Sequence, residues 1–198
     1  MSERNTVLRS LHDVGLAAWF GGSLMGAVGL NCAAKEQGDS WEDGARIASS
    51  AWAKWTPVNA VAIGAHLVGS SGLLGANAAR VVTQQGVATS TLAKTVLTGT
   101  ALAATAYARV LGKKIETASS QDPKDAKKAD RHPVDTGQAE RHLAYAQWAV
   151  PALTGALLVL NALHGEQQRP AQQLHGMWQR ARTLAPHMSN GHHWHVTH

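Results

Sequence analysis

The sequence predicts an all-α integral membrane helical bundle in residues 1–165, with four transmembrane helices and one interfacial amphipathic helix. Only 16% of the residues are charged, against roughly 25% in soluble globular domains. Charges are absent from long windows, and a helix of about 20 apolar residues crosses a hydrocarbon core of roughly 30 Å. Small residues recur through these windows at helical spacing, as close packing between membrane helices requires.

The spans are placed from the windows that lack charge, near residues 12–34, 56–79, 92–112 and 142–165. The third window is the shortest and becomes a span only if Lys94 and Arg109 reach toward opposite interfaces. A buried or re-entrant helix is the alternative there. The first span follows a basic leader and could be read as a secretion signal, but its apolar stretch exceeds the roughly 7–15 residues of such signals.

Two faces of small residues predict that the first two spans pack closely together. The face on the first span consists of Gly15, Ala18, Gly22, Gly26 and Gly29, and that on the second of Gly64, Ser71 and Gly75. An Ala- and Gly-rich composition could also reflect a GC-rich genome, but the regular spacing favours packing.

The segment between these spans, residues 40–55, predicts the interfacial helix. Ser40 and Asp43 have the spacing of a helix N-cap pair, and Trp41, Trp52 and Trp55 share one helical face. Indole rings favour the headgroup level of a bilayer. Pro57 is then expected to let the chain turn into the second span.

Two polar segments complete the chain. Residues 113–141 contain the stretch SSQDPKDAKKADRHPVDTGQ, which has almost no apolar residues, and they predict a flexible linker. Residues 166–198 form a basic, His-rich tail, in which a short amphipathic helix from Pro170 and a disordered end are expected. The net charge is +5, but no basic patch is interleaved with aromatic residues, so no nucleic-acid partner is predicted.

Histidine is the residue type with the most chemical potential in this chain. His66 falls near the middle of the second span, where a polar side chain needs a partner. We expect a structural role with a hydrogen bond to Ser23 or to a backbone carbonyl; the alternative is a haem b or copper ligand. His12 stands at the entrance of the first span, roughly 20 Å in depth from His66, so the two should not share one ion.

The C-terminal histidines are metal-binding candidates of another kind. They are His192, His193, His195 and His198. Neutral imidazoles at this spacing bind Zn, Ni or Cu, but a flexible tail lacks the outer hydrogen bonds that orient ligands. We expect this affinity to be adventitious.

Two stretches carry a family resemblance. HDVGLAAWFGGSLMG together with WAKWTPVNAVAIGAHLVGSSGLL resembles a group of small actinobacterial membrane proteins over most of residues 8–112 and again over 147–170. This resemblance implies a membrane location. More loosely, His12 followed by Trp19 and Gly21-Gly22 is similar to the opening helix of CopD-type copper-resistance membrane domains, which have about twice as many spans. That likeness covers one helix and implies metal handling.

No phosphate loop, nucleophile elbow or zinc-protease motif occurs in the sequence, so we do not expect an enzyme. The leading prediction is a small multi-pass protein of the cell membrane, an accessory or structural subunit whose partners are the lipid bilayer and other membrane subunits or copies of itself. The alternatives are a haem- or copper-binding membrane protein using His66 or His12, and a small transporter or channel. Polar residues for a transport path would be Ser23, His66, Ser70, Ser71 and Thr154.

Overall fold

The structure, a computed structural model, describes residues 3–76, 85–131 and 135–184. Within these ranges the regular elements are helices and no strand occurs, which confirms the all-α class. The helices are α1 (Glu3–Met25), a π-helical turn (Gly26–Leu30), α2 (Asn31–Gln37), α3 (Trp41–Ala76), α4 (Gln85–Ala118), α5 (Pro123–Arg131) and α6 (Thr136–Leu184). The chain divides into two compact units, Met1–Leu158 and Val159–His198. The first unit holds the helical bundle, and the second is helical as far as Leu184.

Three described segments are long and apolar enough to cross a membrane: Thr6–Gln37, Trp41–Ala76 and Thr136–Leu163. They coincide with the first, second and fourth predicted spans. The predicted third span lies in α4, which is helical throughout but is not one of these three. Threonines and charged side chains along α4 lower its hydropathy.

A separate interfacial helix at residues 40–55 was the wrong prediction, because α3 runs unbroken through Pro57. The helix begins as expected, with the Asp43 backbone N–H donating to the Ser40 hydroxyl at 3.2 Å. Trp52 lies against Gly26 of the π-helical turn, and Trp55 lies against Gly22 of α1. These indole contacts explain why the segment continues α3 beside α1.

Helices α1 and α3 pack antiparallel with their backbones in close contact, as the glycine spacing predicts. A Cβ atom placed on Gly15 would lie 2.5 Å from the Ala62 carbonyl oxygen, and one placed on Gly69 would lie 2.5 Å from the His12 backbone nitrogen. Only glycine fits at such an approach. One close approach is at a glycine of α1 and the other is at a glycine of α3. The two helices are therefore held close together at two successive levels.

The small-residue face predicted for the second span is wrong. Gly64 and Gly75 have open space where a Cβ would be, and Ser71 is exposed. The face of α3 that contacts α1 instead carries Ala62, His66 and Gly69. On the first span, Gly15, Gly22 and Gly26 contact α3 as predicted, whereas Gly29 has open space where a Cβ would be. Burial of the His66 side chain fixes this rotation of α3.

The core of the bundle is small and joins three helices. Leu16 and Trp19 of α1 pack with Ala101 of α4 and with Val150 and Leu157 of α6. A second cluster further along α4 contains Leu111 and Ile115, packed with Ala139 of α6. The three helices α1, α4 and α6 therefore share one apolar interior up to Leu157.

The predicted flexible linker at 113–141 is wrong, since most of it is helical. Helix α4 continues to Ala118, and α5 starts at Pro123, where the Asp122 carboxylate accepts from the Lys124 backbone N–H at 2.8 Å. An Asp N-cap followed by proline is a strong helix start, and it outweighs the polar composition.

The predicted new helix at Pro170 is also wrong, because α6 is one helix through that position to Leu184. Glu, Gln, Arg and Ala surround the proline and favour continued helix. The predicted disordered end falls in residues 185–198, outside the described residues.

Candidate histidine site

The imidazole rings of His12 and His66 lie side by side, with centroids 4.5 Å apart and planes inclined by 44°. The prediction that these histidines lie at different depths is therefore wrong. It took the edge of a charge-free window for a helix end, but α1 begins at Glu3 and carries His12 well inside it. The close approaches at Gly15 and Gly69 then bring the two histidines to one level.

The His66 residue is only 1% exposed, and its side chain is held by a hydrogen bond to the backbone of α1. Its Nδ1 lies 3.2 Å from the His12 carbonyl oxygen, which can only accept, so we assign the proton to Nδ1. This confirms the expected backbone carbonyl partner; the Ser23 hydroxyl instead donates to the Phe20 carbonyl at 2.9 Å. His66 Nε2 is buried and has no hydrogen-bond partner among the described residues. An unpaired buried acceptor lowers the free energy of unfolding by about 1–3 kcal/mol.

His12 is oriented by a carboxylate. Its Nδ1 donates to Asp13 Oδ1 at 2.7 Å, which leaves the lone pair of the neutral ring on Nε2. The Asp13 side chain is exposed, and half-buried Lys94 of α4 lies within electrostatic range of it. The site is thus open on the side of Asp13 and closed on the side of His66.

Trp19 forms the inner wall of the histidine site. It is completely buried, and its ring centroid lies 6.2 Å from that of His66. Its indole N–H donates to the Thr105 hydroxyl of α4 at 3.2 Å, and that hydroxyl donates to the Ala101 carbonyl at 2.8 Å. The site is therefore anchored to α1, α3 and α4 together.

The site does not fit a haem b held between His12 and His66. Two imidazoles on opposite faces of a haem iron have centroids about 6 Å apart, from metal–nitrogen bonds of about 2.0 Å. The separation here is 4.5 Å, and Trp19 covers another side of His66. A porphyrin plane has no room between these rings.

A second polar cluster, not predicted from sequence, joins three helices near the other end of α3. The Trp52 indole N–H donates to Asn31 Oδ1 at 3.0 Å, and Asn31 Nδ2 donates to Gln147 Oε1 at 2.8 Å. The π-helical turn Gly26–Leu30 immediately precedes Asn31. The available signal was two amide residues in otherwise apolar windows.

Substituting Asn31 with leucine is expected to lower the free energy of unfolding by about 1–2 kcal/mol, because Gln147 and the Trp52 N–H both lose a partner. Reversible unfolding in mixed detergent micelles measures the change. In a double-mutant cycle with Gln147→Leu, the two losses should be less than additive. Additive losses would show that the two amides act independently.

The predicted metal-binding residues thus have different outcomes. The structure brings His12 and His66 together, whereas His192, His193, His195 and His198 lie outside the described residues. In the described part of the chain, no group of three or more His, Cys, Asp or Glu side chains is placed to hold a metal ion. Comparisons with protein-family models, with curated proteins and with solved structures find no match to this chain.

Proposed function

We propose that this protein is a multi-pass membrane protein that acts as a non-enzymatic accessory or structural subunit of a membrane complex. The observation that carries the proposal is the apolar outer surface of the membrane-length helices. Val61 of α3 is 73% exposed and Tyr145 of α6 is 75% exposed, with Val14 of α1 and Val68 of α3 exposed as well. A soluble bundle would place charged side chains on such faces.

The exposed face of α3 supports a partner in addition to lipid. Val68 and Ser71 are exposed on this face, and Gly64 and Gly75 have open space in front of them. Small residues on an outer membrane face allow another helix to approach closely. In this proposal α4 is also a transmembrane span, the third in chain order, with Lys94 and Arg109 extending their charged ends toward the two interfaces. The α3 face then receives a helix of a partner subunit or of a second copy.

Cysteine cross-linking in native membranes tests both parts of the proposal. With Cys32→Ser as background, the Ser71→Cys variant is expected to remain in the membrane pellet after an alkaline carbonate wash. It should also form one discrete cross-linked product. The matched control is Ala17→Cys, an exposed position on α1. Release by carbonate would contradict the membrane location, and equal cross-linking at both positions would contradict a subunit contact at α3.

A further inference from the structure

We infer that His12 and His66 together bind one transition-metal ion of the zinc, copper or nickel class between α1 and α3. This site is separate from the α3 face that receives the partner helix. Two observations carry it: a buried imidazole nitrogen that lacks a partner among the described residues, and a second imidazole beside it at 4.5 Å.

The hydrogen bonds of both rings prepare them as ligands. His66 Nδ1 donates to a backbone carbonyl and His12 Nδ1 donates to the Asp13 carboxylate. Each neutral ring therefore presents its lone pair on Nε2. Metal-binding histidines in proteins typically donate their other N–H to a carboxylate or a carbonyl, which fixes the tautomer and the ring direction. Asp13 is thus a positioning residue that acts through His12.

The separation of the rings suits a small ion. With metal–nitrogen bonds of about 2.0 Å, two imidazoles at a tetrahedral angle have centroids about 5 Å apart. The observed 4.5 Å is within half an ångström or so of that value, so modest ring rotation suffices. Neutral imidazole suits Zn, Cu and Ni, whereas Mg and Ca prefer oxygen ligands. Water or a small anion entering beside exposed Asp13 completes the coordination.

The test must first remove the tail histidines, because neutral imidazoles at their spacing suit the same metals. The full-length chain with alanine at positions 175, 187, 192, 193, 195 and 198 is purified in mild detergent, stripped with chelator and titrated with Zn²⁺, Ni²⁺ or Cu⁺. We expect one ion per chain for at least one of these metals. His66→Ala and His12→Ala should each weaken binding by about 100-fold or more, and Asp13→Asn by about 10-fold.

His142→Ala is the matched control, because this exposed histidine bonds to Tyr107 and lies outside the site. Circular dichroism and elution volume establish that each variant is folded. If His66→Ala fails to fold, His12→Ala decides the outcome. Absence of stoichiometric binding of all three metals to the tail-substituted chain would overturn the site. Binding that survives both histidine substitutions, or that is lost equally in His142→Ala, would also overturn it.

Discussion

Replacing Gly15 with alanine is expected to lower the free energy of unfolding by about 3 kcal/mol. The added methyl group would lie 2.5 Å from the Ala62 carbonyl oxygen and 2.6 Å from the His66 backbone nitrogen. Both are backbone atoms of α3, so no side-chain rotation relieves the clash. The helices must separate, and the contacts along the whole pair weaken. Titration of the purified protein with a denaturing detergent, followed by circular dichroism, measures the loss.

Gly21→Ala is the matched control on the same helix. Gly21 has nothing within 4 Å of its would-be Cβ, and alanine favours helix over glycine by about 1 kcal/mol. This variant should be as stable as the parent or slightly more so. Equal losses for Gly15→Ala and Gly21→Ala would show that α1 does not meet α3 at Gly15.

Truncating Trp19 to alanine is expected to cost about 3–5 kcal/mol. The side chain is completely buried in the core cluster with Ala101 of α4 and Val150 of α6, and its removal leaves a cavity where three helices meet. It also leaves the Thr105 hydroxyl without its indole donor. The measurement is the unfolding midpoint in the same detergent titration.

Trp148→Ala on α6 provides the control for removing an indole, since Trp148 is 55% exposed. Its cost should stay below about 1 kcal/mol, as at other outward-facing positions. Trp19→Phe should recover most of the stability by filling the cavity without restoring the hydrogen bond. Similar costs for the two tryptophan truncations would contradict a core centred on Trp19.

The charge-free windows predict which segments are apolar helices, because a bilayer demands that pattern from the sequence itself. Three of the four windows are membrane-length helices in the structure. The charge-free windows do not predict where the helices end, because a polar segment in water can be either helix or coil. Residues 3–11 and 113–118 are helical although they lie outside the predicted spans. This error in helix ends produced the wrong separation of His12 from His66.

Contacts between helices account for the remaining errors. Continuity of α3 through Pro57 accompanies the packing of Trp52 on Gly26, which joins positions far apart in the sequence. The glycine face of α1 could be predicted from spacing alone, because its glycines repeat at helical intervals. The matching face of α3 could not, because two glycine-bearing faces were possible and burial of His66 selected the one that carries Gly69. The Asn31–Gln147 bond likewise joins positions far apart in the sequence, so no local residue pattern predicts it.

The reciprocal close approaches at Gly15 and Gly69 have a mechanical consequence. A helix that slides along its neighbour moves in steps of one turn, about 5.4 Å, and needs another residue without a bulky side chain at the next contact position. One turn from Gly15, α1 carries Leu11 and Trp19. Neither side chain would fit against the α3 backbone at the position that Gly15 occupies. Helices α1 and α3 therefore behave as a single rigid pair that does not slide along its length. Relative motion among the described helices is therefore expected between this rigid pair and the helices α4 and α6.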